Sequence, residues 1–248
     1  MEKNNLNNLD NNLFNYVDNL LEDLDFKNNS YFSALQDKKF DKEDFIETQI
    51  QFYTVAKFFP RFLLELVNKL PDSDLRLNII ENLYEDHCQG VSKDNLNTFL
   101  SFLNNLGVSK QDIEKRQLWP ETRMFIMSAW GTCALDDKLV AASLLGTIEY
   151  MFLYISSTLE DYVLKNNWLS QEHLGYYTCH EKLDKKHAKD FFDLVSKSWE
   201  IVEEERYYIK QGINLGAYSL NLLFNELYKY RKQRLYRKIT QDHIRINY

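Results

Sequence analysis

Glycine and proline are scarce in this chain, at 7 and 3 in 248 residues. Sheet-rich folds need such residues for tight turns, and phosphate-binding loops need runs of glycine, so a β-rich architecture and a glycine-rich nucleotide-binding unit are both disfavoured. Cysteine is sparse as well. Cys88, Cys133 and Cys179 are odd in number, widely spaced and form no CxxC pair, which suits free thiols in a reducing compartment better than a disulfide framework. Positive charge is in deficit, with a formal net charge of -7. Nucleic-acid backbones are held mainly by Lys and Arg, so no nucleic-acid partner is expected. No apolar run approaches the roughly 20 residues that span a bilayer, and the first stretch is too polar for a signal peptide. The expectation is a cytoplasmic protein with no membrane partner.

What the chain does have is aromatic mass: 16 Tyr and 16 Phe, within a hydrophobic share of 44%. That is enough to fold a sizeable core in one domain. Residues 1–12 read as a flexible, Asn-rich lead, residues 13–238 as a single helical domain, and residues 239–248 as a tail without periodicity. The spacing Leu13, Val17, Leu20, Leu21, Leu24 predicts a short amphipathic helix, and a second covers residues 31–35. Asp41 caps a long segment with Phe45, Ile46, Gln49, Phe52, Tyr53 and Ala56 inward, and Pro60 breaks or kinks it. Residues 121–136 and 138–164 are so apolar that both should be central helices, covered on several sides. Further helical segments include residues 191–210 and 212–230. The basic run at residues 229–238 (KYRKQRLYRK) reads as a solvated face, or as a partner of the acidic Glu203, Glu204 and Glu205. About eight helices with no convincing strand pair make the fold all-α, a compact helical bundle.

The chemistry concentrates in residues 179–190 (CHEKLDKKHAKD). His180, Asp184 and His187 stand at i, i+4 and i+7, which places them on one stripe of a helix. The chain has only 5 histidines. Asp184 has no Lys three or four places away, so no helical ion pair accounts for it. Glu149 sits within the apolar LLGTIEYMFLYI, where a carboxylate costs several kcal/mol unless paired, protonated or metal-bound. Glu85, with Glu81 one turn behind, offers a further carboxylate. Imidazoles and carboxylates together suit Fe, Mn or Zn. The proposed ligands are therefore Glu85, Glu149, His180, Asp184 and His187. His87 lies about 200° around the helix from Glu85 and faces inward only if that helix ends near Asp86. Cys88 reads as a small core residue.

This order of residues, Glu85 in NLYEDH, Glu149 in GTIEY, then His180-x3-Asp184-x2-His187, resembles the haem-oxygenase-like dimetal oxidases and oxygenases. Those belong to the superfamily of thiaminase II and pyrroloquinoline-quinone synthase (PqqC-like) folds. QIQFYTVAKFFP, PDSDLRLNIIENLYED and IKQGINLGAYSLNLLFNELY add to the likeness, which spans roughly residues 30 to 230 and is strongest to relatives that form para-aminobenzoate. The resemblance implies two metal ions, iron with manganese as the next choice, and O2 as cosubstrate. It implies oxidation of a small organic or amino-acid-derived substrate in cofactor biosynthesis. Where the family carries a sixth ligand, a His, this sequence has Asn95, whose amide oxygen is a weaker donor. In the para-aminobenzoate-forming relatives an internal tyrosine is the substrate, and Tyr31, or Phe32 one place on, falls at that position. A homodimer follows by analogy of fold. Two other classes compete: a cofactor-independent enzyme with His87 or Glu85 as acid or base, and a nonenzymatic binding or effector protein with an impaired metal site.

Overall fold

The protein is represented by a computed structural model. It describes the backbone of residues 2–87 and 95–235, and within these all side chains except those of residues 2–11, 86, 87, 95, 96, 181, 182, 234 and 235. The described residues form α1 (Glu2–Asp23), α2 (Ser30–Gln36), α3 (Lys42–Lys69), α4 (Ser73–His87), α5 (Asn95–Asn105), α6 (Lys110–Glu114), α7 (Pro120–Leu135), α8 (Lys138–Lys165), α9 (Gly175–Ile201) and α10 (Glu203–Leu235). Two short 3₁₀ turns lie between them, and no strand is present among the described residues. The all-α bundle expected from composition is what the chain adopts.

Local signals set several boundaries. The Asn29 side chain accepts from the Tyr31 amide at the start of α2, and the Asp137 carboxylate accepts from Leu139 N at 2.7 Å at the start of α8. Ser109 and Asp112 form a reciprocal capping box on α6. Other boundaries depart from the periodicity. The backbone of α1 is helical from Glu2, so the Asn-rich lead is continuous with the predicted helix. Asp41 occupies the cap position of α3 without capping it, because its carboxylate pairs instead with Lys232 at 2.7 Å. Pro60 does not end α3, which runs on to Lys69. The histidine stripe and the segment after it are one helix, α9, and the chain breaks at Val202.

α8 is the axis of the core. Every residue from Leu139 to Glu149 is buried, and α9 and α10 pack along its length. This helix is long and apolar enough to cross a membrane, contrary to the expectation that no such run exists, but 83% of its most apolar window is buried inside the protein. Its apolarity is accounted for by the helices around it. Gly212 and Gly216, one turn apart on α10, let that helix approach the Val140, Ser143, Leu144 and Thr147 face of α8 more closely than any side chain allows. α7 packs on α3, α10 and α8, but unlike α8 it is left open along one side, where Met124, Met127, Trp130 and Leu135 are exposed.

Among the described residues of the basic run, 229–233, no ion pair reaches Glu203, Glu204 or Glu205, which start the same helix, and the rest of the run lies outside the described side chains. Arg231 and Lys232 both reach the buried Asp44 of α3 at 2.8 Å, and Arg231 also lies over the Tyr228 ring. A buried carboxylate with two cations closes α10 onto α3. Arg231→Ala leaves Asp44 with only the more exposed Lys232, and a loss of about 2 kcal/mol in chemical denaturation is expected.

Candidate metal centre

The stripe on α9 is helical, as its spacing requires. His180 is 9% exposed, His187 1% and Asp184 0%. Asp184 is therefore not a solvated carboxylate of the charged surface, although Lys185 and Lys186 follow it directly in sequence. Its carboxylate is engaged by its own helix: His180 Nδ1 lies 2.8 Å from Asp184 Oδ1, one turn away. This contact fixes the imidazole and points His180 Nε2 away from the pair.

α8 brings Glu149, only 6% exposed, against the same stripe. Ligand atoms of Glu149, Asp184 and His187 all lie within 4.8 Å of one another. The His187 ring spans two carboxylates, with Nδ1 4.0 Å from Glu149 Oε2 and Nε2 2.9 Å from Glu85 Oε2. Glu85, on α4, sits at the edge of the site, and Lys186 binds both of its oxygens at 3.1 and 3.2 Å while also reaching Glu81 at 3.3 Å. Burial raises the Glu85 carboxyl, but the hydrogen bonds from His187 and Lys186 outweigh it and hold the group below its ordinary value of 4.5.

That depression has a signed consequence for the metal-free protein. A carboxylate lowered on folding adds stability above its unfolded value, and this contribution is lost as pH falls through the folded one. Thermal midpoints measured from about pH 6 down to about pH 3 should fall more steeply for the wild type than for Glu85→Gln. Equal slopes would contradict the assignment.

Aromatic rings wall off one side. His180 meets the edges of Phe152 and Tyr176 at centroid distances of 5.0 and 4.5 Å, and Tyr176 stacks on Phe99 at 4.2 Å. From this wall a directed hydrogen-bond chain leads to Tyr31. The Tyr177 hydroxyl donates to Gln49 Oε1, and Gln49 Nε2 donates to the Tyr31 oxygen at 3.0 Å. Thr48 donates its proton to the Phe45 carbonyl at 2.7 Å, so the 2.7 Å contact between Thr48 and Tyr31 must have Tyr31 as donor. Burial pushes both phenols far above their ordinary value of 10.0, so Tyr31 and Tyr177 stay protonated.

The five residues proposed from spacing, Glu85, Glu149, His180, Asp184 and His187, thus converge on one place from α4, α8 and α9. Tyr31 is separate from them, joined through Gln49, Tyr177 and Tyr176. Asn95 is the first residue of α5 and His87 the last of α4, but both side chains, together with Cys88, lie outside the described residues. Lys186 and Gln49 join the site as well, and neither stands out in the sequence as a site residue. Gln49 stood on the inward face of α3 by its spacing, whereas nothing local joins Lys186 to a glutamate about a hundred residues earlier.

Two buried carboxylates within 4.8 Å of each other repel, and imidazoles alone offset them only if protonated. A divalent cation would relieve the repulsion, and the mixed nitrogen and oxygen donors suit Fe, Mn or Zn. Residues 47–217 match the family described as iron-containing redox enzymes, and the chain belongs to that family. It is 20% identical over 174 residues to the 4-aminobenzoate synthase of Chlamydia pneumoniae, covering 70% of this chain and 77% of that protein. Among solved structures, a CADD-like protein of unknown function from Nostoc punctiforme matches with a TM-score of 0.72 at 14% identity, over 93% of this chain and 98% of that one. A domain of unknown function with a haem-oxygenase-like fold from Shewanella denitrificans matches with a TM-score of 0.70 at 14% identity, over 96% and 97%. At these identities the structural likeness shows the fold, which is haem-oxygenase-like.

Proposed function

We propose that the protein is a metal-dependent oxidoreductase that uses O2 to oxidise a small organic substrate. Glu149, Asp184, His187, His180 and Glu85 would hold the metal, iron in preference to manganese. The observation that carries this reading is the buried meeting of Glu149, Asp184 and His187, with ligand atoms within 4.8 Å. A metal held there would relay electrons from the substrate to O2, a chemistry no side chain here provides alone. The chain's own residues do the positioning. Asp184 fixes His180 through Nδ1, so Nε2 is the atom His180 offers. Lys186 and His187 hold Glu85 ionised at the rim, ready to close the site or to add a second cation position. Phe152, Tyr176 and Phe99 keep water from the His180 side. Anaerobic titration with Fe(II) should give saturable binding of one or two ions per chain, with an optical change on admitting O2. Failure to bind any divalent metal would overturn the proposal.

A finer reading draws on the likeness to the Chlamydia pneumoniae 4-aminobenzoate synthase: the organic substrate is the chain's own Tyr31. What supports it is the position of a fully buried, protonated phenol at the end of a hydrogen-bond chain that begins beside the His180 wall. Peptide mass spectrometry after incubation with Fe(II), reductant and O2 should then show a loss of side-chain mass confined to Tyr31. An unaltered Tyr31 peptide in protein that has consumed O2 would exclude it.

A further inference from the structure

Away from the metal centre, the start of α10 and the end of α9 enclose a cleft with α1. It has a volume of about 320 Å³ and is lined by Asn12, Asn15, Tyr16, Asn19, Trp199, Glu200, Arg206 and Lys210. Trp199 stands twelve residues beyond His187 on α9, about 18 Å along the helix axis, so the two sites are separate. The volume lies within the range of small-molecule sites.

The cations lining this cleft have different duties. Arg206 donates to the last carbonyls of α9, Nε to Trp199 O at 2.6 Å and an Nη to Glu200 O at 3.2 Å, and so closes that helix end. Lys210 has no such task. The residues three and four places from it on α10 are Arg206, Tyr207, Ile213 and Asn214, none of them acidic. Among the described residues no carboxylate lies within ion-pair distance of it, Glu200 included. Its ammonium instead lies 5.3 Å from the Tyr16 ring centre and 5.8 Å from that of Trp199. These two rings pack against each other at 5.2 Å between centroids, tilted by 52°. Placing a like charge one turn from Arg206 is unfavourable on a bare helix. Opposite stand Asn12, Asn15 and Asn19, spaced to share one face of α1. Asparagine is a poor helix former, yet each amide offers two donors and an acceptor to the cleft.

We propose that this cleft binds a small aromatic anion, a carboxylate or phosphate carried on a planar ring. Lys210 takes the charge, the asparagine amides of α1 donate to the remaining oxygens, and Tyr16 with Trp199 provides the aromatic wall.

The test is calorimetric titration of the full-length chain, kept metal-free with a chelator, with benzoate and separately with phenyl phosphate. Saturable one-site binding is expected, with a Kd on the order of 1 mM or tighter, and the tighter of the two names the head group. Lys210→Ala should weaken it at least tenfold, given the loss of a charged donor, while Lys210→Arg retains most of it. Both variants should stay within about 4 °C of the wild-type thermal midpoint, since the contacts of Lys210 with the Tyr16 and Trp199 rings contribute little to stability at such a site. Asn15→Leu, which fills the cleft from α1, should also weaken binding, and His187→Ala should leave it unchanged. Three results would each overturn the proposal: no saturable binding of either anion, binding unchanged in Lys210→Ala, or equal affinity for inorganic phosphate, which has no ring.

Discussion

Asparagine in place of Asp184 is expected to abolish tight metal binding while leaving the fold intact or more stable. The wild-type carboxylate is wholly buried, and in the metal-free protein its charge faces Glu149 across the cluster. Replacing a desolvated charge by a neutral amide of the same shape removes an unfavourable term, and the amide still accepts from His180 Nδ1. The metal loses an anionic donor. Residues that merely orient ligands cost about 10- to 100-fold in metal affinity when removed, so a direct donor should cost at least about 100-fold. Wild-type protein in Fe(II) at about 100 times Kd gains about 2.7 kcal/mol, which for a chain of this length raises the thermal midpoint by roughly 5–10 °C. Asp184→Asn should show no such rise from a starting midpoint at or above that of the wild type. A lower metal-free midpoint with an undiminished Fe(II) shift would mean that Asp184 is only structural.

The second large effect concerns the helix contact that holds the bundle together. Alanine normally stabilises a helix by up to about 1 kcal/mol over glycine. At Gly212 the sign should reverse. A Cβ built there meets the Val140 carbonyl oxygen in hard contact and Ser143 Cβ at 2.7 Å, and both belong to α8, which is itself locked between α9 and α10. Overpacking of this kind costs about 1–3 kcal/mol, more when backbone must move. Gly212→Ala should therefore lower stability by about 2 kcal/mol, with a midpoint about 5 °C lower. Gly131 on α7 is the control, because nothing lies within 4 Å of a Cβ placed there. Gly131→Ala should raise stability by about 0.5–1 kcal/mol. The same substitution with opposite signs in two helices would establish the close α8–α10 approach.

Much of this architecture is legible in the sequence because it is local. The histidine stripe depends only on helical spacing within eight residues, and Glu149 stands out because its own helix is otherwise apolar. The positions that escaped depend on distant chain. Gly212 reads as a weak point in an amphipathic helix until Ser143 and Thr147, some seventy residues earlier, are seen beneath α10. Arg231 and Lys232 find Asp44 across the bundle rather than the glutamates at the other end of their own helix. Asp41 has the identity of a cap, yet a lysine from α10 competes for its carboxylate. Periodicity also reports how apolar a helix is without reporting what covers it, and so α7, which is exposed along one side, read like α8, which is enclosed. The Asn-rich lead, residues 1–12, reads as low complexity, although its last residue, Asn12, lines the cleft beside Lys210 together with Asn15 and Asn19 from the helix that follows.

The central claim is that Glu149, Asp184 and His187 meet in order to hold a metal ion. Anomalous diffraction at the iron absorption edge, from crystals grown with Fe(II) under anaerobic conditions, tests it most directly. A peak bonded to Glu149, Asp184 and His187, with His180 Nε2 or Glu85 completing its ligands, is the predicted result. Ordered side chains at these positions with no anomalous density between them would contradict it.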